Sequence, residues 1–193
     1  MKNNHDHDHI PREYEQLDDE IRKVLLQKRV VMIVDEICIE LAEGMSKELM
    51  YVSLISKDPI RVILNSVGGE VYAGLLIYNT IRDIVSQGIE VIVEVRGLAA
   101  SMGCIILQAG SKRTSARATR FLIHEVSSFD YGKVSEMEEQ VEELRKVNNL
   151  LRDILSAKTG QKKEEIDKVW AKKDVWHSSE EALKFGLIDE IVD

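Results

Sequence analysis

The chain has 193 residues and a formal net charge of −8 at pH 7, and its 44% hydrophobic and 31% charged residues are typical of a soluble globular protein. This length predicts one domain with a core of ordinary size, over residues 1–193. The acidic balance argues against a nucleic-acid partner, and no apolar run reaches the roughly 18 residues that would cross a membrane.

The chain begins with a polar, histidine-rich segment, MKNNHDHDHIP, which is too polar for a secretory signal. We interpret residues 1–11 as a flexible tail. Imidazoles and carboxylates alternate over residues 5–9, but a solvated tail is a better interpretation than a metal site, so we expect neither metal nor cofactor. Cys38 and Cys104 lie in apolar, helix-like contexts, which predicts free buried thiols and a reducing cytoplasm.

Apolar spacing predicts that helices and strands alternate along the first half of the chain. The expected helices span 14–28, 38–56 and 71–86, and the expected strands span 30–34, 60–65 and 89–95. Then follow a short helix at 102–108, a strand at 120–124, a long helix at about 133–158 and a last helix at 180–185. This alternation predicts right-handed crossovers and a mostly parallel sheet, hence an α/β fold.

The long helix carries a narrow apolar stripe on an otherwise charged surface. Its members are Met137, Val141, Leu144, Val147, Leu151 and Leu155. So narrow a stripe favours packing against another chain, and the alternative is a solvated helix laid on its own sheet.

A serine stands among small residues directly after the third predicted strand, in the segment GLAASMG at 97–103. A tight strand-to-helix turn there would expose the Ser101 hydroxyl, and a nucleophile needs such an open face. Ala99 occupies the place of the first glycine of G-x-S-x-G, so an α/β-hydrolase is not favoured.

A serine hydroxyl also needs a base and a site for the developing oxyanion. Of the five histidines, His124 ends an apolar strand and is favoured over His177, which we place in a polar turn. Gly68 and Gly69 follow a predicted strand, where glycines let the backbone approach a substrate closely, although a plain strand-to-helix turn explains them equally well.

Three separated motifs resemble those of the ClpP family of ATP-dependent Clp proteases: GLAASMG at 97–103, FLIH at 121–124 and KDVWHS at 173–178. The resemblance runs from about Leu17 to Ile191. It implies a ClpP/crotonase-like βαβ superhelix with a small second sheet and a projecting handle helix.

The resemblance also implies a role for each site residue. In a serine endopeptidase of this kind, Ser101 forms the acyl-enzyme, His124 acts as base and then as acid, and Asp174 orients the imidazole. The backbone amides of Gly69 and Met102 would form the oxyanion hole, and no cofactor takes part.

The same resemblance implies a homo-oligomer of stacked heptameric rings, whose chamber admits unfolded polypeptides or short peptides, with a Clp-type ATPase as partner. Such rings can hold the catalytic residues misaligned until assembly is complete. The chain departs from the family at Glu125 and Val126, which replace a glutamine-proline pair and loosen the loop after His124. Arg61 and Ile63 replace aromatics at the ATPase docking positions, and Arg61 would put an uncompensated charge there, so the sequence favours peptidase activity over the usual ATPase partner.

Four alternatives share parts of this pattern. A serine–lysine peptidase of the signal-peptide-peptidase type has the same fold, and a phage maturation protease would use the same triad on another substrate. A crotonase-type acyl-CoA enzyme would use similar amides, and a structural ring subunit would be inactive. The presence of Ser101, His124 and Asp174 together argues against the last of these.

Overall fold

The computed structural model of the chain describes residues 12–127, 132–170 and 174–193, so the predicted tail at 1–11 lies outside the described residues. The helices are α1 (Arg12–Gln27), α2 (Ile39–Ile55), α3 (Val71–Ser86), α4 (Met102–Leu107), α5 (Val134–Thr159), α6 (Lys163–Trp170) and α7 (Ser179–Phe185). The strands are β1 (Val30–Val34), β2 (Ile60–Ser66), β3 (Val91–Ala100), β4 (Lys112–Ala116), β5 (Arg120–Ile123), β6 (Val175–Ser178) and β7 (Glu190–Val192). In the described part of the chain, no helix combines the length and apolar character that a bilayer crossing requires.

The strands form one sheet in the order β1-β2-β3-β4-β7, and β5 and β6 branch from it through β3. Every pairing is parallel except that of β5 with β6, which confirms the predicted α/β fold with a mostly parallel sheet. The expected small second sheet is instead this β5–β6 branch. Buried Val and Ile side chains of the central strands form the core with helices α2, α3 and α4.

The branch begins where β3 bends away from β2. The pairing jumps from Leu64 opposite Val95 to Ser66 opposite Ala99, so three residues of β3 face one residue of β2. At the bend, the Asn65 side-chain oxygen accepts a hydrogen bond from the Leu98 amide at 3.0 Å. Beyond the bend, β3 pairs with β5 instead of β4, and it ends immediately before Ser101.

Four elements were not predicted from the sequence: β4, α6, β6 and β7. Strand β4 has the sequence KRTSA, and its buried positions are Arg113, Thr114 and Ser115, so no apolar alternation marks it. The others have only three to eight residues, which is too short for a periodic pattern to stand out.

The apolar stripe of α5 divides into a buried half and an exposed half. Val147, Leu151 and Leu155 are buried in the core of the same chain, so the prediction that the whole stripe packs against another chain is wrong for this half. Met137 and Val141, each 45% exposed, belong to the other half and remain uncovered.

The buried side chain of Arg113 ties the C-terminal ends of three helices to the sheet. Its guanidinium donates to Gln108 after α4 (2.6 Å), to the Lys158 carbonyl in α5 (3.0 Å) and to the Gly186 carbonyl after α7 (2.8 Å). It also pairs with the Asp189 carboxylate. Burial alone raises the pKa of Asp189, but hydrogen bonds from Arg113 outweigh it and hold that pKa below its ordinary value.

We predict that Arg113→Met lowers the free energy of unfolding by about 2–4 kcal/mol, because it leaves a carboxylate, an amide and two carbonyls without their donor. Urea titration followed by circular dichroism measures this loss. Arg117→Met is the matched control, since Arg117 is exposed and its ion pairs with described residues are those with Glu180 and Asp193 at the surface. Equal midpoints for the two variants would contradict the assigned role of Arg113.

Candidate active site

Ser101 occupies a strained turn between β3 and α4. Its φ of +53° and ψ of −120° lie outside the regions that non-glycine residues favour, at a cost of about 1–3 kcal/mol. Neighbouring bonds hold this conformation: the Ser101 amide donates to the Leu122 carbonyl (2.9 Å), and its carbonyl accepts from the Cys104 amide (3.0 Å). The turn leaves the Ser101 side chain half-buried at the surface of a cleft.

The turn at Gly68 and Gly69 packs directly against this serine. A Cβ atom at Gly68, whose φ is +92°, would lie 2.6 Å from the Ser101 Cβ and 2.8 Å from the Ala100 carbonyl oxygen. The turn is fixed from its other side by Ile37, whose amide donates to the Gly68 carbonyl (2.8 Å). Only glycine therefore fits beside the serine.

Four of the five sequence-predicted site residues line one cleft of about 80 Å³: Gly69, Ser101, Met102 and His124. In the described part of the chain, the amides of Gly69 and Met102 donate to no protein acceptor. Unpaired amides beside a serine hydroxyl can stabilise negative charge on a bound carbonyl oxygen.

The fifth residue, Asp174, does not line the cleft. It is exposed and immediately precedes β6, whose Val175 pairs with Ile123. His124 and Asp174 are thus the next residues after the last pair of this antiparallel register. Within the described residues, however, His124 makes no hydrogen bond to Asp174 or Ser101, and its Nδ1 lies 2.8 Å from the Glu125 carbonyl oxygen.

His177 differs from its prediction. It lies in β6 opposite Phe121, and not in a polar turn. Its ring is buried and packs on Phe185 with centroids 5.3 Å apart. Burial lowers the pKa of His177, so it is a neutral core residue, and it does not line the cleft of Ser101.

The two cysteines differ in burial. Cys38 is only half-buried, just before α2, so its prediction as a buried thiol is wrong, whereas Cys104 is buried beneath Ser101. The Cys104 thiol donates to the Ala99 carbonyl at 3.0 Å. Burial raises the pKa of Cys104 to about 12. This thiol is therefore protonated at neutral pH.

Sequence reasoning missed the opposite wall of the cleft. Val126, Leu151 and Trp170 line it, from the loop after β5 and from helices α5 and α6. Leu151 belonged to the predicted stripe of the long helix, but nothing in the sequence indicated that this stripe borders the serine. In the described ranges no group of three or more His, Cys, Asp or Glu residues is arranged to hold a metal ion.

The charge of Arg61 is compensated, which corrects the sequence prediction. Its guanidinium donates two hydrogen bonds to the buried Glu94 carboxylate, at 2.9 and 2.6 Å, and Arg96 donates a third at 2.5 Å. Burial by itself raises the pKa of Glu94. The hydrogen bonds from the two arginines lower it by more, so the pKa of Glu94 lies below its ordinary value. Ile63 beside them is largely buried.

A strained serine and a histidine in one cleft, at the branch of a mostly parallel sheet, are typical of a serine peptidase. The Clp protease family model matches residues 13–193, and the chain belongs to this family of serine peptidases. The fold agrees: a ClpP1 variant from Listeria monocytogenes superposes with a TM-score of 0.80 at 34% identity, over 90% of this chain and 96% of that one.

Curated relatives give the same assignment. The chain is 38% identical over 173 residues to ATP-dependent Clp protease proteolytic subunit 2 of Chlamydia pneumoniae, covering 87% of this chain and 82% of that protein. Proteolytic subunit 1 of Chlamydia felis matches with the same identity and coverage. The resemblance noted in the sequence is thereby confirmed.

We predict that Gly68→Ala slows the reaction of Ser101 with a fluorophosphonate by about a hundredfold, because the added methyl displaces the serine. Gly88→Ala is the matched control: its φ of +82° imposes similar backbone strain, but no atom lies within 4 Å of the added Cβ. Intact-mass measurement of labelling over time separates the two. Equal labelling rates would show that close packing at Gly68 does not set the position of Ser101.

Proposed function

We propose that this chain is a serine endopeptidase that cleaves unfolded polypeptides or short peptides inside an oligomeric chamber, through an acyl-enzyme on Ser101. The observation that carries the proposal is the cleft itself. It holds a strained serine, a histidine and two amides that donate to no acceptor within the described ranges. These are the parts that acyl transfer requires.

In the proposed reaction, His124 removes the proton from the Ser101 hydroxyl as its oxygen attacks the scissile carbonyl carbon. The amides of Gly69 and Met102 donate to the oxyanion that forms. His124 then passes the proton to the leaving amine, which breaks the C–N bond. Water attacks the acyl-enzyme by the same route and releases the carboxylic acid and free Ser101.

Asp174 is the proposed partner of the His124 Nδ1–H. It is favoured by its place in the chain: Asp174 precedes Val175 and His124 follows Ile123, and Val175 and Ile123 are the last pair of the β5–β6 register. Because the Glu125 carbonyl oxygen lies 2.8 Å from Nδ1, His124 must exchange that acceptor for the carboxylate before Asp174 can orient it. The conformation described here is thus a resting state of the site in this proposal.

Two of the alternatives gain no support from the cleft. No lysine is among its described lining residues, so a serine–lysine dyad has no candidate base there. None of its described lining residues is an arginine or lysine that would bind the phosphates of an acyl-CoA. A phage maturation protease would use the same groups and differs only in its substrate.

The proposed assembly is a pair of stacked heptameric rings in the cytoplasm. The uncovered half of α5 supports an oligomer, since Met137 and Val141 present apolar surface to solvent. A Clp-type ATPase is the proposed partner. On this chain, the Arg61–Glu94–Arg96 ion cluster makes the proposed docking surface polar. Such a surface favours an ATPase loop that binds through polar side chains.

We predict that Ser101→Ala abolishes fluorophosphonate labelling and that His124→Ala slows it by about a thousandfold or more, since the nucleophile and its base act as a unit. Asp174→Asn is expected to slow it by about a hundredfold or more. Intact mass spectrometry measures the labelled fraction over time.

His177→Phe is the control for this experiment, because it changes the other histidine in the described residues and keeps a ring in the core. It is expected to label at the wild-type rate. A correctly assembled wild-type protein that does not label, or a His124→Ala variant that labels normally, would contradict the proposed mechanism.

We predict that Val141→Glu converts the oligomer to smaller species, because a carboxylate would be buried where the uncovered half of α5 packs against another copy. Leu183→Glu is the matched control, at a similarly exposed apolar residue of α7. Light scattering coupled to size-exclusion chromatography measures the mass. An unchanged mass for Val141→Glu would refute this role of α5.

A further inference from the structure

The side chain of Asn148, on α5, forms hydrogen bonds to two segments that are distant from each other in the sequence. Its Oδ1 accepts hydrogen bonds from the Val126 amide and from the Trp170 indole Nε1, each at 3.0 Å. Both partners are donors, so only the carbonyl oxygen of the asparagine can serve them, and the chemistry fixes the orientation of the amide. Both distances are those of normal hydrogen bonds.

The two segments carry the proposed base and its proposed orienting group. Val126 is two residues beyond His124, in the loop that follows β5. Trp170 ends α6, four residues before Asp174. Val126 and Trp170 also line the cleft of Ser101. A single amide group on α5 therefore joins the loop after the proposed base to the end of α6, at the cleft of Ser101.

The bond to Val126 is a consequence of this particular sequence. The family resemblance leads us to expect a proline at this position, and a proline has no N–H to donate. A proline stiffens a loop through its ring, whereas Val126 leaves the backbone free unless its amide is bound. The loop residues beside it, Glu125 and Ser127, are exposed and supply little packing. The hydrogen bond to Asn148 replaces the missing restraint.

Loss of the hydrogen bond between Trp170 and Asn148 would leave a buried donor without an acceptor. Its side chain is only 5% exposed, so an indole N–H without a partner would be left in a largely dry environment. The Asn148 oxygen is the acceptor it has in this structure.

We propose that Asn148 is a positioning residue for the peptidase reaction: by binding the Val126 amide and the Trp170 indole, it fixes the loop after His124 and thereby the position of His124 relative to Asp174. This inference rests on the proposed function of these two residues. Asn148 itself does not touch substrate in this proposal. It sets the geometry in which the imidazole can turn from the Glu125 carbonyl to the carboxylate.

The test compares Asn148→Leu, which removes the acceptor at nearly constant volume, with Asn148→Asp, which keeps an oxygen acceptor for both donors. Asn149→Leu is the matched control, since Asn149 is exposed and, among the described residues, its side chain accepts a hydrogen bond from Arg152 at the surface. The full-length proteins are labelled with a fluorophosphonate, and the limiting rate of labelling and the half-saturating probe concentration are measured separately. Oligomeric mass and melting temperature are recorded for each variant.

We expect Asn148→Leu to lower the limiting rate by about tenfold to a hundredfold, with the half-saturating concentration changed less than about twofold, because misplaced catalytic groups slow the chemistry and not the binding. Asn148→Asp should recover most of the rate, and Asn149→Leu should match wild type. A wild-type rate for Asn148→Leu, an equal loss in Asn148→Asp, or an equal loss in Asn149→Leu would each overturn the assignment.

Two further variants separate the outcomes. If Asn148→Leu does not fold, Trp170→Phe decides the question, since it removes one donor and keeps a large aromatic ring. A several-fold lower limiting rate then supports the proposal, and a wild-type rate overturns it. If His124→Ala is inactive while Asn148→Leu reacts normally, only the role of Asn148 fails; if His124→Ala also reacts normally, the proposed function fails as well.

Discussion

The hydrogen bond from the Leu98 amide to the Asn65 side chain holds β3 away from β2 at Gly97, and the geometry of the site follows from that separation. Without the bend, β3 would continue beside β4, and the residue after Ala100 would enter the sheet. With it, the strand turns onto β5, and Ser101 leaves the sheet in a strained conformation beside Gly68. The same bend brings the end of β5, which carries His124, next to the end of β3. The Asn65 side chain thus supports the bend at which Ser101 and His124 come to share a cleft.

The groups around this bend are not all in their reactive arrangement. Backbone bonds on both sides fix the serine turn, and the two glycine-turn residues have no freedom to move toward it. Among the described residues, the His124 ring bonds only to the carbonyl oxygen of the next residue, and α5 joins the loop after His124 to the end of α6. Ser101 and the glycine turn beside it are therefore held by more hydrogen bonds than the His124 ring is. Helix α5 borders both groups, since its Leu151 also lines the cleft.

The sequence was sufficient for the elements with strong apolar patterns and for the chemical identity of the residues in the cleft. β1 and α3 have the predicted bounds, because a continuous apolar run marks the strand and a clear helical period marks the helix. β4 could not be recognised, since its inward side chains are an arginine, a threonine and a serine that tertiary hydrogen bonds satisfy. His177 was misplaced for a related reason: its four-residue strand exists because β5 pairs with it, and nothing local predicts that pairing. The wall formed by Val126 and Trp170 likewise depends on contacts between distant segments, which a single sequence does not reveal.

The buried thiol beneath Ser101 has a consequence for the chemical selectivity of the site. Cys104 is three residues from the nucleophile, and a thiolate there would compete for every acylating or alkylating reagent that enters the cleft. Its hydrogen bonds to the Ala99 and Leu122 carbonyls and its high pKa keep it protonated and out of reach. Oxidants that act on thiolates therefore find no target at this position. The protein thereby carries a sulfur atom next to its reactive centre without acquiring a second, redox-sensitive nucleophile.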